Sequence, residues 1–293
     1  MIVAAMSCSA LPACLQAAAL PAKALSLNRE GVAALSSGDL QTAEARFALA
    51  LEYNVRFTEA WVNLGLVELG RGNFERAGRD FVKARDLNPD LPTPHHALGL
   101  LADRLGDTEQ AEAHYRAALR VDPGFAPGRV NLARLLFERG ATEEAREQFL
   151  RVTQVAPERV EGWAGLAESL LRLGRADQAA AVLGQGIRRL GRQPLLGLVE
   201  GRLLLRTGAF REAVARLQPL TGDRDRPVRS AALAWLAIAR LEQGDLQSAT
   251  EAAQHAIQLD PDSPVARYAV AAVGGAFARN TSLGPVDGAG KER

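Results

Sequence analysis

Cysteine, aromatic side chains and net charge are all scarce in this sequence of 293 residues. The two cysteines, Cys8 and Cys14, both lie in the first 14 residues, so a disulfide framework is excluded for the rest of the chain. Aromatic residues make up 5% of the sequence, which leaves few surfaces for the bases of a single-stranded nucleic acid. The formal net charge of +1 also argues against a nucleic-acid partner, which a basic protein surface would attract.

The motifs of common catalytic and metal sites are also absent from the sequence. The adjacent histidines His95 and His96 face different sides of a helix, so they cannot form an i, i+4 metal-binding pair. No H-E-x-x-H, paired C-x-x-C, G-x-S-x-G or P-loop motif occurs. The stretch 184–186 has two glycines but lacks the third glycine of a dinucleotide-binding loop. We therefore predict a protein that is not an enzyme and that uses neither a metal nor a cofactor.

What the sequence does contain is a period of 34 residues. Six glycines follow one another at this spacing and a seventh comes after 36 residues, which indicates one structural unit repeated along the chain. An alanine follows each glycine by five residues, and in the first four repeats an aromatic residue follows that alanine by four more. The glycines are Gly38, Gly72, Gly106, Gly140, Gly174, Gly208 and Gly244, and the aromatic residues are Phe47, Phe81, Tyr115 and Phe149.

The segment 58–91 shows what one period encodes. Apolar residues recur at helical spacing over 60–69 and again over 74–87. Between these stretches lies Gly72, which tolerates the positive φ angle of a helix end or a tight turn. Pro89 follows the second stretch, where a helix has to stop. The segment is therefore predicted to form two antiparallel helices joined by a short turn.

Small residues would let the two predicted helices approach each other closely. We expect Gly65 and Ala77 to face each other inside this helix pair, because larger side chains would push the helices apart. Trp61 and Phe81 are expected to fill the wider gap to the neighbouring repeats. A single pair leaves an apolar side uncovered, so each repeat would be stabilised by the next one in the stack.

The order W-x2-L-G, then G, A, F, A and P, resembles the tetratricopeptide repeat. This resemblance implies an all-α fold, a right-handed α-solenoid of about seven helix-turn-helix repeats. Glu30 and Glu200 stand where the pattern expects leucine, so packing there is less regular. A capping helix over 264–279 is expected to cover the end of the stack, followed by a disordered tail over 280–293. The predicted repeats span 24–57, 58–91, 92–125, 126–159, 160–193, 194–227 and 230–263.

The first 23 residues precede the repeats and carry no charged side chain before Lys23. They are rich in alanine and leucine and end in small residues, which is typical of an export signal over 1–23. The stretch 11–14 is similar to a bacterial lipoprotein signal, in which Cys14 would be lipidated and would anchor the protein to a membrane. We expect an exported protein in the periplasm or at the outer membrane. The alternative is that the leader is not cleaved or that the start codon is wrongly assigned. In that case the protein would remain in the cytoplasm.

The tetratricopeptide resemblance also implies where a partner binds. In that fold the first helix of each repeat lines a concave groove that holds an extended peptide or a helix of another protein. Asn63 and Asn131 occupy the same position two repeats apart. Their amides could bind a peptide backbone, or they could tie neighbouring first helices together. The candidate partner-binding residues are Asn63, His96, Asn131, Arg134, Arg172, Arg202 and Arg206.

Charge is uneven along the repeats. Residues 160–229 contain 12 arginines and 7 acidic residues, a local balance of +5. This excess predicts either a basic face for an acidic partner or a general preference for arginine, because the whole chain has three lysines. The mixture of arginine and leucine on the inner helix faces favours a partner that is partly acidic and partly apolar.

These observations favour a non-enzymatic scaffold that binds a peptide or a helix of another protein, within an exported assembly complex. A narrower alternative is an outer-membrane lipoprotein, since the repeats over 95–140 are similar to the pilotins that aid secretin assembly in type IV pilus systems. Another alternative is a cytosolic module that recruits substrates to an enzyme complex. The last alternative is that the chain is a fragment of a transferase whose catalytic domain is absent from this sequence.

Overall fold

The computed structural model describes residues 20–282, with side chains up to residue 276. Between residues 20 and 282 the chain forms fifteen α-helices and one short 3-10 helix, with no strand. This architecture confirms the predicted all-α fold of helix pairs packed in sequence. The predicted leader up to residue 19, its Cys14, and the tail from residue 283 lie outside the described residues.

The chain divides into two subdomains at residues 114 and 115, within the sixth helix. In the N-terminal subdomain, α1 packs on α2 and α3 packs on α4, while α2 contacts α3 and α4 contacts α5. The helices of this part are α1 (Ala22–Ser36), α2 (Leu40–Tyr53), α3 (Thr58–Gly70), α4 (Phe74–Leu87), α5 (Pro92–Arg104) and α6 (Thr108–Val121), of which α6 crosses the division.

The C-terminal subdomain continues the same alternation from α7 onward. The helix α13 is longer than the other first helices of the repeats, since it begins at Arg226, four residues before the predicted start at 230. The last helix ends at Ser282, three residues beyond the predicted end at 279. The helices are α7 (Ala126–Glu138), α8 (Thr142–Val155), α9 (Val160–Arg172), α10 (Ala176–Leu190), α11 (Pro194–Arg206), α12 (Phe210–Leu217), α13 (Arg226–Glu242), α14 (Leu246–Leu259) and α15 (Pro264–Ser282), with the 3-10 helix at Gln218–Gly222.

The turn inside each helix pair depends on the periodic glycine. Gly72, for example, has a φ angle of 80°, which a residue with a Cβ atom rarely adopts, and all seven periodic glycines share this conformation. Aspartates just after three of these turns then begin the second helices, because the carboxylates of Asp39, Asp107 and Asp245 each accept a hydrogen bond from the backbone N–H three residues later. The turn prediction is therefore confirmed.

The packing inside the second repeat differs from the prediction in one respect. A Cβ atom placed on Gly65 would lie 2.4 Å from Cε1 of Phe81, and its three nearest atoms all belong to that ring. The nearest neighbour of Gly65 is therefore the Phe81 ring, which fills the space that the glycine leaves inside the helix pair. Phe81 also packs with Ala97 of α5, and Trp61 borders the clusters on both sides of α3, which confirms that both side chains connect neighbouring repeats.

Glutamate replaces the expected leucine at two equivalent positions, and each is paired with an arginine sixteen residues later. The carboxylate of Glu30 lies 3.3 Å from Nε of Arg46. The carboxylate of Glu200 lies 2.9 Å from Nε of Arg216. An ion pair between the two helices of a repeat thus takes the place of the apolar contact.

Candidate functional site

A groove runs along the first helices of the repeats in the C-terminal subdomain. Helix α9 contacts both α7 and α11, and α11 contacts α13. Side chains on one face of these four helices line two adjoining open cavities of about 350 and 850 Å³. Both cavities are therefore built from the helix face that the sequence predicted to meet a partner.

The smaller cavity has a mostly apolar lining. Its volume of about 350 Å³ lies within the range of preformed ligand sites, in which apolar walls carry a few polar groups. The polar groups here are two arginines and two glutamates, Arg134, Arg202, Glu161 and Glu168. The apolar lining comes from Val130, Phe149, Ala164, Gly165, Leu195, Leu198, Val199 and Trp235.

The floor of this cavity depends on one glycine. A Cβ atom on Gly165 would lie 2.3 Å from Cε1 of Phe149, so the ring occupies the space where a side chain of α9 would stand. Phe149 belongs to α8, a second helix, yet its ring reaches the groove between the first helices. Any residue larger than glycine at position 165 would force that ring to move.

The larger cavity of about 850 Å³ adjoins the smaller one toward the C-terminal ends of α9 and α11. It is lined by three arginines and two glutamates, which gives it a local excess of positive charge. Helix α15 contributes Pro264, Val265 and Tyr268, and the Tyr268 side chain is 59% exposed. The predicted capping helix therefore also forms a wall of the groove.

Arg202 forms the boundary shared by the two cavities. Its guanidinium pairs with the Glu168 carboxylate and lies 4.7 Å from the centre of the Trp235 ring, a cation–π contact. Burial, aided by the nearby positive charge of Arg206, lowers the pKa of Arg202 to about 10, which leaves it charged at neutral pH. Arg202 therefore joins α9, α11 and α13, three of the four helices whose faces form the groove.

Arg172 and Arg206 differ in how they are held. The Arg172 guanidinium stacks 4.2 Å from the centre of the Phe137 ring and donates a hydrogen bond to the Phe137 carbonyl oxygen, so its position is fixed. Arg206 is exposed, one helical turn after Arg202. Within residues 20–282, neither Arg172 nor Arg206 forms an ion pair with an acidic side chain. Both positive charges at the larger cavity are therefore available to a partner.

Other arginines from the positively charged stretch are used inside the protein. Arg175 pairs with Glu143, and Arg226 donates a hydrogen bond to the Leu259 carbonyl oxygen at 2.6 Å. The arginines of this stretch therefore have two roles. Some stabilise the fold, and two others, Arg172 and Arg206, lie at the groove.

In the N-terminal subdomain the predicted groove residues are tied to their neighbours. The side-chain amide of Asn63 donates a hydrogen bond of 2.9 Å to the side-chain carbonyl oxygen of Asn28 on α1, so here the asparagine links neighbouring first helices. His96 is half-buried on α5. The adjacent His95 takes the place of tryptophan, with its Nε2 atom 3.3 Å from the carbonyl oxygen of Pro89. The indole N–H of Trp61 makes the equivalent bond to the Val55 carbonyl oxygen.

The two remaining predicted residues lie on α7 in the C-terminal subdomain. Asn131 is half-buried at the position equivalent to Asn63. Arg134 lines the smaller cavity and pairs with Glu138 across one turn of α7, at 2.8 Å. The structure thus brings Arg134, Arg172, Arg202 and Arg206 to one groove, whereas Asn63 and His96 belong to the other subdomain.

Trp235 is the main groove residue that the sequence-based prediction left out. It contacts Arg202 and lines both cavities. Trp235 is the sixth residue of the predicted repeat 230–263, and the same counting places Asn63 and Asn131 sixth in theirs. Extending that counting to the last repeat would therefore have identified it.

The described part of the chain contains no cluster of three or more histidine, cysteine, aspartate or glutamate side chains that could hold a metal ion. Among residues 20–282, no helix is both long and apolar enough to cross a membrane.

Comparison with known proteins identifies the repeat. Sequence models described as tetratricopeptide repeat match residues 28–92 and 198–264, residues 104–167, and residues 160–185. No curated protein sequence matches this chain.

Solved structures share the fold over most of the chain. A tetratricopeptide repeat protein from Parabacteroides merdae is 18% identical and has a TM-score of 0.65, with 86% of this chain and 99% of that protein covered. Pseudomonas aeruginosa PilF is 24% identical with a TM-score of 0.57, and the match covers 72% of this chain and 95% of PilF. A tetratricopeptide repeat protein from Thermus thermophilus is 22% identical with a TM-score of 0.53, covering 62% of this chain and 99% of its own. At these identities the likeness concerns the fold alone.

Proposed function

Because this chain belongs to the tetratricopeptide repeat family, whose fold serves as a protein–protein interaction scaffold, we propose that it binds a peptide or a helix of a partner protein in the groove of its C-terminal subdomain. The family and the fold point to a non-enzymatic scaffold. The observation that carries the proposal is the apolar cavity of about 350 Å³ next to two arginines without acidic partners among residues 20–282.

This combination matches the way protein partners are recognised. A few large side chains that enter apolar pockets supply most of the affinity, while charged groups around them select the partner and fix its orientation. Arg172 is held in place by Phe137, so little of its side-chain freedom remains to be lost on binding. The groove therefore offers both an anchoring pocket and a charged rim.

Site-specific photo-crosslinking tests this proposal. A photoreactive phenylalanine analogue would replace Tyr268, which borders the larger cavity, or Tyr53, which lies at the end of α2 in the N-terminal subdomain. The two side chains are 59% and 51% exposed, so they form a matched pair. We expect one partner segment to be captured through position 268 and not through position 53. Capture through position 53 alone would place the binding site outside this groove.

We also propose that the protein is exported and that the leader is cleaved, as the alanine-rich segment 1–23 suggests. The intact mass of the protein from its native cells, together with cell fractionation, tests this. A mass that lacks residues 1–13 and includes acyl chains would indicate a lipid anchor on Cys14. The loss of about 19–24 residues without lipid would indicate a periplasmic scaffold. A complete chain in the cytosol would contradict export and favour a cytosolic recruiting module.

A further inference from the structure

We infer that the groove of the C-terminal subdomain selects an acidic peptide segment that carries one large apolar side chain close to an aspartate or glutamate. The inference rests on the proposed function and deepens it, since it names the chemistry of the bound segment. It combines three features of the groove: an open apolar cavity, two arginines that have no acidic partner within residues 20–282, and the distance from the cavity to these arginines.

The apolar requirement follows from the way the smaller cavity is built. Its walls come from α7, α8, α9, α11 and α13, and Gly165 lets the Phe149 ring form the floor. Trp235 and Arg202 close one side through their cation–π contact. These contacts all lie within the chain itself, so a large apolar side chain can enter the cavity without new contacts having to form around it first.

The acidic requirement follows from the charges that are left over at the larger cavity. Its two glutamates are already used, because Glu138 pairs with Arg134 and Glu168 pairs with Arg202. Arg172 and Arg206 remain, and the fork of guanidinium N–H groups matches a carboxylate. Charge complementarity therefore favours an acidic partner over a neutral or basic one.

The distance between the two features limits the spacing within the partner. Along α11 the smaller cavity is lined by four residues between 195 and 202, and Arg206 lies on average roughly 11 Å beyond them, at 1.5 Å per helical residue. One helical turn or two extended residues span about 5–7 Å, and the side chains supply the remaining reach. The acidic residue is therefore expected two residues from the apolar one in an extended segment, or three to four residues from it in a helix.

A peptide display library tests this inference with the full chain immobilised. We expect the enriched sequences to combine Leu, Phe, Met or Trp with Asp or Glu at these spacings. The variant Arg172→Glu/Arg206→Glu is expected to replace the acidic preference with a basic one. The control variant Arg189→Glu, which changes one exposed arginine on α10, is expected to retain the acidic preference. Peptides from the wild-type selection should bind the double variant at least tenfold more weakly.

Filling the cavity tests the apolar half of the inference separately. Ala164→Leu and Val199→Phe both add volume to the lining, and we expect each to weaken the selected peptides at least tenfold without removing the acidic preference. Thermal unfolding shows whether each variant keeps the fold. One variant that remains folded is sufficient for the test. If both unfold, a wild-type peptide whose apolar residue is changed to alanine makes the same test from the partner side.

The outcomes separate this inference from the proposed function. Enrichment of peptides that photo-crosslink at position 268 but show no acidic preference would overturn the inference and leave groove binding intact. No enrichment on the wild-type protein would count against both. A protein that self-associates through this groove, and becomes monomeric in Arg172→Glu/Arg206→Glu, would replace the acidic peptide with a second copy as the occupant. Sedimentation measurements on both forms make that distinction.

Discussion

The periodic aromatic position is used differently in the N-terminal subdomain and at Phe149 of the C-terminal subdomain. In the N-terminal subdomain, Phe47 and Phe81 pack on Gly31 and Gly65 of their own repeats and are 0% exposed. In the C-terminal subdomain, Phe149 occupies the equivalent position of its repeat but is 6% exposed and lines the groove. An aromatic ring that is sealed in the core of one repeat thus lines an open cavity in another.

The location of the neighbouring glycine explains this difference. Gly31 and Gly65 are the eighth residues of their predicted repeats, inside the helix pair, so the ring packs inward. In the repeat of Phe149 the eighth residue is Ala133, and the glycine in contact with the ring is instead Gly165, the sixth residue of the next repeat. When the glycine under the ring lies on the inner face of a first helix, the ring packs in the core. When the glycine lies on the groove face of the next first helix, the ring borders a cavity.

The largest effect that tests this comparison comes from removing the rings. Phe81→Ala is expected to lower the free energy of unfolding by about 3–5 kcal/mol, because it creates a cavity in a sealed core. Phe149→Ala should cost at least about 1 kcal/mol less, since its ring already borders open space and loses fewer contacts. Urea denaturation of the two variants measures the difference between their free energies of unfolding. Hydrogen exchange, followed helix by helix, shows which helices each variant destabilises. Equal losses of unfolding free energy would mean that the Phe149 ring is packed in the core as completely as the Phe81 ring.

A smaller effect is expected from adding a methyl group under each ring. Gly65→Ala should destabilise the protein by about 1–3 kcal/mol, because a Cβ atom would lie 2.4 Å from the fully buried Phe81 ring. Gly165→Ala should cost less than about 1 kcal/mol, because the Phe149 ring can shift into the cavity and relieve the contact. The same change should weaken partner binding, whereas Gly65→Ala should leave it unchanged.

Gly274→Ala provides the control for these two substitutions. A Cβ atom on Gly274, within α15, would meet no heavy atom within 4 Å. Alanine favours the helix over glycine by about 0.5–1 kcal/mol, so this change should stabilise the protein slightly. If Gly165→Ala behaves like Gly274→Ala in stability and in binding, the Phe149 ring does not depend on the glycine.

The repeat period was sufficient to predict the fold, whereas the groove depends on side-chain contacts. Gly72 and its periodic counterparts mark a backbone conformation that few other residues adopt, so sequence identifies the turns directly. The ring of Phe81 and its glycine are sixteen residues apart in sequence, and which small residue it covers depends on how the helices are packed. For the same reason the sequence did not identify Phe81 as the nearest neighbour of Gly65.

The predicted groove residues show the same limit. The tetratricopeptide resemblance implied that Arg172, Arg202 and Arg206 lie on the groove face, and all three line the larger cavity. The resemblance could not show that Arg202 is held by Glu168 and Trp235, while Arg206 has no acidic partner among the described residues. Those differences arise from three helices that meet only in the folded protein.

The smallest effect concerns a charge that the N-terminal subdomain buries. Burial, together with the nearby carboxylate of Glu68, raises the pKa of Asp80 to about 6. In the C-terminal subdomain burial lowers the pKa of Arg202 to about 10, far above neutral pH, so its charge does not change there. A change of pH around 6 therefore alters the charge of Asp80 in the N-terminal subdomain. The same change leaves the charge of Arg202 in the C-terminal subdomain unaltered.

Asp80→Asn makes this difference measurable. A pKa raised on folding means that protonation stabilises the folded state, so the contribution is complete below pH 3.8 and is lost as the pH rises through about 6. Asparagine does not ionise, and at pH 7 the variant should be more stable by up to about 1 kcal/mol, a value reduced because the side chain is half-exposed. The gain should shrink steadily between pH 7 and pH 4. A gain for Asp80→Asn that is independent of pH would contradict ionisation as its cause.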